Sequence, residues 1–390
     1  MSPKLTVLMG AGFSQSVGIP GTDEITRRLL AAPIAPIHSP RYDGIINSTT
    51  AVLHRALLSF YDQVNFELIL HGAEALYTIN LAGPGYVKDD TYKPVYCALM
   101  DTSPRWRPLI DESTTLDFIR SLVGVTIDII AQASHGVNAA NLKRAGTFID
   151  ELQSRFSIGL FSLNYDDLVE RATGRTWFDG FIGDTFPRVF NAQTFVNGYR
   201  EAELLCHLHG CHKFDIRNVS RTYEFLDNGS GRNTRATPTT LAINAPLQSG
   251  EASVIGPIIS GLRKADKTVH PPFGYYNHAL VEYLTTVPRL LIVGYGAQDS
   301  YINSWLMQFI HCHGSSARVG IITMVDETNE NARVSLRRLS YFFGNNYADA
   351  DLTMYRPIDD PLTIGSVIIS AGGALASNDH LSKILDFLTR

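Results

Sequence analysis

Apolar and polar residues are arranged along this chain in two different ways. Short, nearly unbroken apolar runs occupy residues 5–9 (LTVLM), 157–166 (SIGLFSLNYD), 203–210 (ELLCHLHG), 289–296 (RLLIVGYG) and 318–326 (RVGIITMVD). Runs of this kind predict strands buried on both faces. Elsewhere apolar residues recur at helical spacing, as in TTAVLHRALLSFYD, FELILHGAEALYTI and TLDFIRSLVGVTIDIIAQ. The later strands are separated by three more helical patterns, YYNHALVEYLTTV, SYINSWLMQFI and NARVSLRRLSYFF. Strands alternating with helices predict an α/β fold, a Rossmann-like parallel sheet with helices on both faces.

The helical patterns of residues 31–150, interrupted by a loop rich in Pro, Asp and Tyr over 83–110, exceed a simple crossover. They are expected to form a helical insertion subdomain in a discontinuous core built from 1–30 and 151–390. Thr22 and Asp23 are expected to cap a helix beginning near Glu24. Residues 216–272, with DNGSGRNTRATPTT and GPIISGLRKADKTVHPP, read as irregular, a loop-rich lid or assembly insertion within the core.

Composition narrows the class. The chain has 390 residues, 45% of them hydrophobic and 18% charged, as in a globular protein. A net charge of −5 gives no support to direct nucleic-acid binding. Cys97, Cys206, Cys211 and Cys312 are too few for a disulfide framework, so a reducing cytoplasm is the expected setting. The first apolar run ends in glycines and reads as a buried strand rather than a signal peptide. The run SLVGVTIDIIA is too short to span a membrane and contains Asp128, so no membrane association is expected.

Three motifs sit at the ends of predicted strands. Gly10-Ala11-Gly12 follows the first. It is either a loop whose backbone N–H groups meet a phosphate or simply a tight turn. Gln15 stands where the dehydrogenase fingerprint has its third glycine, and no P-loop lysine follows. SLNYDDL carries Asn164 and Asp166: Asn-x-Asp bends chains, and Asp166 can cap the following helix. The stretch LLCHLHGCHKF crowds three histidines and two cysteines together. Strand alternation would put His207, His209 and Cys211 on one face, a metal-like set that HCHG at 311–314 could complete. The competing reading makes His209 a catalytic or buried histidine and expects no metal.

In that order, GAGFSQSVGIP, SLNYDDL and HLHG resemble the motifs of the sirtuin superfamily. That resemblance, extended by VGYGAQD, covers most of the chain and leaves the two insertions outside it. It implies that Gly10, Ala11, Gly12 and Ser14 line the phosphates and nicotinamide ribose of NAD+, and that Gly18, Ile19 and Pro20 shape the nicotinamide end. It implies catalytic roles for Asn164 and His209, with Asp166 and Gly294 also at the dinucleotide and Asp326 on the adenosine ribose.

Protein-deacylating members carry paired Cys-x-x-Cys zinc ligands, a Phe-Arg loop and a late Gly-Thr/Ser-Ser turn. This chain has no Cys-x-x-Cys, continues Pro20 with Gly21-Thr22, and has GYGAQD instead. It is similar in these respects to the sirtuin-like NADase domains of prokaryotic antiphage defence. The implied activity is NAD+ glycohydrolysis, with NAD+ as substrate. Alternatives are an NAD-dependent deacylase or ADP-ribosyltransferase, and a catalytically silent nucleotide-sensing scaffold. The helical insertion of 31–150 is expected to build a homo-oligomer, and the resemblance implies a HerA-type ATPase as partner.

Overall fold

A computed structural model of the chain describes residues 2–32, 43–82, 112–219, 222–230, 241–244, 253–260, 264–323, 334–335, 338–339, 341–343, 362–364, 367–370 and 378–390. Its strands are β1 (Lys4–Met9), β2 (Ser157–Ser162), β3 (Phe181–Ile182), β4 (Arg188–Phe190), β5 (Leu204–His207), β6 (Phe214–Val219), β7 (Thr222–Asp227), β8 (Ala242–Asn244), β9 (Ser253–Ile255), β10 (Arg289–Val293), β11 (Arg318–Ile322), β12 (Leu362–Ile364) and β13 (Val367–Ser370).

Seven of these form the main sheet in the order β12-β13-β11-β10-β1-β2-β5. Every pairing is parallel except the edge pair β12–β13. Thr6 of β1 lies between Gly159 of β2 and Leu290 of β10. The chain therefore builds outward from β1 through β2 to β5, then returns to lay β10 on the other side of β1. That reversal is the switch point of a doubly wound sheet, where a crevice opens beyond the carboxyl ends of the strands. The architecture is α/β and Rossmann-like.

Alternation along β1 explains the layering. Leu5, Val7 and Met9 pack with the helices Ala139–Arg155 and Asn378–Thr389 through Phe148, Ile149, Leu152, Ile384 and Leu388. Leu8 faces the opposite layer, where the helices Phe273–Thr286 and Ser300–His313 contribute Tyr276, Leu280, Leu306 and Phe309. A third cluster joins the helices Thr22–Ala31, Asp43–Leu58, Phe66–Ala82 and Glu112–His135 through Leu29, Leu53, Phe66, Leu70 and Phe118. Among the described residues no helix is long and apolar enough to cross a membrane.

Two local expectations are corrected. Gly21 is the N-cap of Thr22–Ala31 and no side chain caps that end. Thr22 and Asp23 lie inside the first turn, where Asp23 and Glu24 suit the positive end of the helix dipole. Residues after 213 are also more ordered than their polar composition predicts. β6 and β7 pair antiparallel from Phe214–Asp227 to Val219–Thr222, within a four-stranded sheet ordered β3-β4-β7-β6. Arg217 and Glu224 face each other across that hairpin and form an ion pair. Charged pairs of this kind hid a strand pattern whose apolar members are Phe214, Ile216 and Phe225. The 83–110 loop and part of NARVSLRRLSYFF lie outside the described residues.

The turns after β1 and β10 meet backbone to backbone. Gly294 has φ +62, and a Cβ there would lie 2.4 Å from the Phe13 nitrogen. Gly294→Ala is expected to lower stability by about 3 kcal/mol through left-handed strain and overlap together. Chemical denaturation of the two proteins checks this.

Candidate active site

Main-chain bonds hold the glycine loop in place. Gly10 N–H donates to Val293 O at 2.9 Å, Gly12 N–H donates to Gly294 O at 2.8 Å, and Gly294 N–H donates to Ile322 O at 2.8 Å. A Cβ on Gly10 would stand 2.7 Å from Gly294 O, and one on Gly12 2.8 Å from Gly294 Cα. These glycines are therefore required by the contact between two strand ends, whatever else the loop binds. The helix Ala11–Gln15 follows, with Ala11 exposed and Ser14 buried. Gly18, at φ +94, turns the chain so that Ile19 N–H donates to Ser14 O at 3.1 Å. Gly18 is exposed and Pro20 half-buried, whereas the Ile19 side chain is buried in the core.

β2 delivers the second motif beside the first. Leu163 N–H donates to Met9 O at 2.9 Å, which continues the β1–β2 ladder one residue past the strand. The next residue, Asn164, turns its side chain onto the glycine loop. Its Nδ2 donates to Gly10 O at 3.0 Å and to Ser14 Oγ at 2.8 Å. Both amide protons are thereby engaged, and Oδ1 is the atom left to accept a bond from a ligand. Asp166 shares a hydrogen bond with Ser14 and accepts from Leu168 N–H at 3.1 Å. Burial pushes the Asp166 carboxyl above its ordinary range, and the Ser14 bond works against that.

The histidine-rich stretch is resolved by where β5 ends. The strand stops at His207 and the chain turns at Gly210, φ +86. The single-face alternation predicted for His207, His209 and Cys211 therefore fails. Each histidine meets its own carboxylate instead. His207 Nε2 lies 3.0 Å from Glu170 Oε1, His209 Nε2 lies 3.1 Å from Asp299 Oδ2, and His212 Nε2 lies 3.1 Å from Asp167 Oδ1. Among the described residues no three His, Cys, Asp or Glu side chains are grouped to hold a metal ion. Cys206 and Cys211 are buried, and burial pushes both thiols far up. HCHG closes the helix Ser300–His313, and His313 Nε2 lies 2.9 Å from Leu284 O.

Three further residues meet at the site, two of them inside the stretches SLNYDDL and VGYGAQD. Asp299, from the helix start after β10, faces His209. Tyr165 sits between Asn164 and Asp166, its ring 6.3 Å from the His209 ring. Its hydroxyl contacts Glu67 Oε1 at 2.7 Å and Ile259 O at 3.0 Å. Glu67 thus brings the helix Phe66–Ala82 to the same turn. The one available signal was position: Tyr165 is flanked by two motif residues, and Asp299 follows the glycine-rich end of β10. Asp326 lies outside the described residues.

Behind the site is a buried charge network. Lys213 Nζ lies 2.9 Å from Glu170 Oε1 and 3.3 Å from Asp227 Oδ2. Burial raises the Glu170 carboxyl, but Lys213 and His207 outweigh it and hold the group at about 2. Burial disfavours the charged His207 imidazole, yet Glu170 raises it overall.

No family model and no curated protein matches this chain. Solved structures do. One, on the mechanism and regulation of Sir2 enzymes, matches with a TM-score of 0.38 and 13% identity over 100% of this chain and 94% of that one. A mutant Sir2 homologue in complex with ADP-ribose matches with a TM-score of 0.35 and 13% identity, over 87% of this chain and 92% of that one. A structure on sirtuin substrate affinity has a TM-score of 0.32 and 11% identity, over 88% and 95%.

Glu170→Gln removes a carboxylate shared by His207 and Lys213. A loss of roughly 3 kcal/mol at neutral pH is expected, because buried Lys213 loses its nearer carboxylate and keeps Asp227 at 3.3 Å. Glu170 is depressed from 4.5 to about 2, so its contribution is full above pH 4.5 and fades as pH falls toward 2. Denaturation curves across that range should show the wild type losing its advantage over Glu170→Gln on acidification.

Proposed function

We propose that this chain is a sirtuin-like NAD+ glycohydrolase, which cleaves the bond between nicotinamide and ribose to release nicotinamide and ADP-ribose. The observation that carries the reading is the clasp of Asn164 on Gly10 O and Ser14 Oγ, with His209 at the end of the neighbouring strand. Three motifs far apart in sequence thereby share one set of strand ends at the switch point, where such sheets bind dinucleotides. In the sequence, the missing Cys-x-x-Cys pairs and the altered loops favour plain NAD+ cleavage over deacylation.

The chemistry asks little of a general acid. The nicotinamide ring of NAD+ is already cationic, so it leaves ribose as a neutral molecule, taking the electron pair of the C–N bond. Positive charge gathers at ribose C1′, as in other glycosyl transfers. Water then adds its oxygen to C1′ and gives up a proton. In this reading His209 accepts that proton, and Asn164 Oδ1 orients the water or a ribose hydroxyl. In this reading exposed Ala11 faces the ribose and phosphates, while Gly10, Gly12 and Ser14 shape that surface through bonds to Val293, Gly294, Asn164 and Asp166. Gly18 and Pro20 bound the nicotinamide end, while Ile19 supports them from the core. Asp166 fixes Ser14, and Gly294 fixes the glycine loop. The balance is NAD+ plus water to nicotinamide, ADP-ribose and a proton.

The wider reading follows the same resemblance. NAD+ depletion would serve antiphage defence in the cytoplasm. The helices of 31–150 would build a homo-oligomer, residues 216–272 would gate the crevice, and a HerA-type ATPase would be the partner.

Incubation with NAD+ alone should yield nicotinamide and ADP-ribose in equal amounts by chromatography. His209→Ala and Asn164→Ala should each lower turnover by about 100- to 10,000-fold with the fold retained by circular dichroism. Turnover that requires an acyl-lysine peptide would instead establish a deacylase. Binding of NAD+ with no nicotinamide release would point to a sensing scaffold.

A further inference from the structure

Asp299 is anchored more firmly than a solvent-facing carboxylate. It is the N-cap of the helix Ser300–His313, and its Oδ1 accepts from Tyr301 N–H at 3.0 Å and Ile302 N–H at 3.1 Å. Its own N–H donates to Tyr295 Oη at 3.2 Å, and Tyr295 Oη also lies 2.8 Å from Asn303 Oδ1. One oxygen is thus committed to the helix end. The other, Oδ2, lies 3.1 Å from His209 Nε2, with both side chains only 10% exposed.

We propose that Asp299 is the positioning residue of His209, holding the imidazole at the crevice with its proton on Nε2 and its lone pair on Nδ1. The proposal rests on His209 being the base of the reaction above, although the contact itself does not. Two N–H donors and the positive helix end favour negative charge on the Asp299 carboxylate. A fixed anion beside Nε2 selects the tautomer that carries hydrogen there. It also stabilises the imidazolium formed when Nδ1 takes a proton, the logic of a carboxylate behind a catalytic histidine. His209 is on the β5 side of the sheet, whereas Asp299 follows β10, so the pair closes across the switch point.

Among the described residues, Tyr165, Glu67 and Lys267 lie toward His209 from other elements and hold other partners. Tyr165 presents its ring from the turn after β2, and burial, then Glu67 and Asp299, raise its phenol well above the ordinary value. Glu67, from the helix Phe66–Ala82, reaches the Tyr165 hydroxyl. From the segment after β9, Ile259 N–H donates to His209 O at 2.7 Å. Lys267 Nζ, behind that segment, is held by Glu74 and by Ser260 O.

Asp299→Asn separates capping from charge, because asparagine caps a helix as well as aspartate does. The test uses the full chain and two readouts. The first is the titration of the His209 imidazole by NMR, assigned by its loss in His209→Gln. Its midpoint should move down by about one pH unit or more in Asp299→Asn, since a nearby anion is removed. The second is NAD+ cleavage, where kcat should fall roughly 100-fold or more with KM little changed and the acid limb of the pH profile moving down. Thermal unfolding should remain near wild type, and Asp299→Ser, which also caps, should reproduce both effects. An unmoved His209 titration in folded Asp299→Asn would overturn the proposal. A shifted titration in a protein that never cleaves NAD+ would leave the pairing standing and remove the glycohydrolase reading instead.

Discussion

The contact between the Gly10–Gly12 loop and the Gly294 turn is made by main chain alone. Gly12 N–H reaches Gly294 O, and none of the three glycines has room for a Cβ. Such proximity is open only to residues without side chains, and it locks the ends of the central strands β1 and β10. The remaining site is referenced to it. Gly10 O is turned toward Asn164, Ser14 is placed to bridge Asn164 and Asp166, and the chain after Gly294 runs on to Asp299. Loosening that contact would misplace groups on strands that do not touch it.

Electrostatics divides labour among the histidines. Burying an unpaired polar ring is costly, and each of the three is met by a carboxylate. Glu170 and Asp167 belong to the segment that immediately follows the Asn164–Asp166 turn. The Glu170–His207 contact and the approach of Asp167 to His212 therefore hold that turn against the end of β5. Lys213 extends the tie to Asp227 of β7, and Asp227 and Asp179 both hold Arg188 of β4. The small antiparallel sheet is thus connected to the site by charge as well as by the packing of Phe214 and Phe181. His209 pairs instead with Asp299, the cap of the helix Ser300–His313.

The helical cluster reaches the site through Tyr165, and through Ser134, whose Oγ donates to Asp167 Oδ1 at 2.6 Å. Tyr165 packs against Phe66, contacts Glu67, and also meets Ile259, whose N–H bonds the His209 carbonyl. A displacement of the helix Phe66–Ala82 would be felt at the Asn164 turn and at His209 together. Residues distant in sequence are coupled here through a single phenol.

Hydrophobic periodicity by itself determined the five strands near 5, 157, 204, 289 and 318 and the helices around 50, 70, 120, 280 and 305. These elements are buried on a face or throughout, so the pattern that buries them is written in local sequence. The Gly10, Asn164 and His209 motifs were also legible, because strand-end turns restrict residue type. The β6–β7 hairpin was not, since its cross-strand charges alternate with its apolar residues. The partners of the histidines were beyond reach for a different reason. Which of His207, His209 and Cys211 share a surface depends on β5 ending at His207 and on the turn at Gly210. Which carboxylate meets each ring depends on segments 37 or more residues away coming into register. Local sequence fixes what a segment can bury; only the closed sheet decides which charges are brought within 3.1 Å of one another.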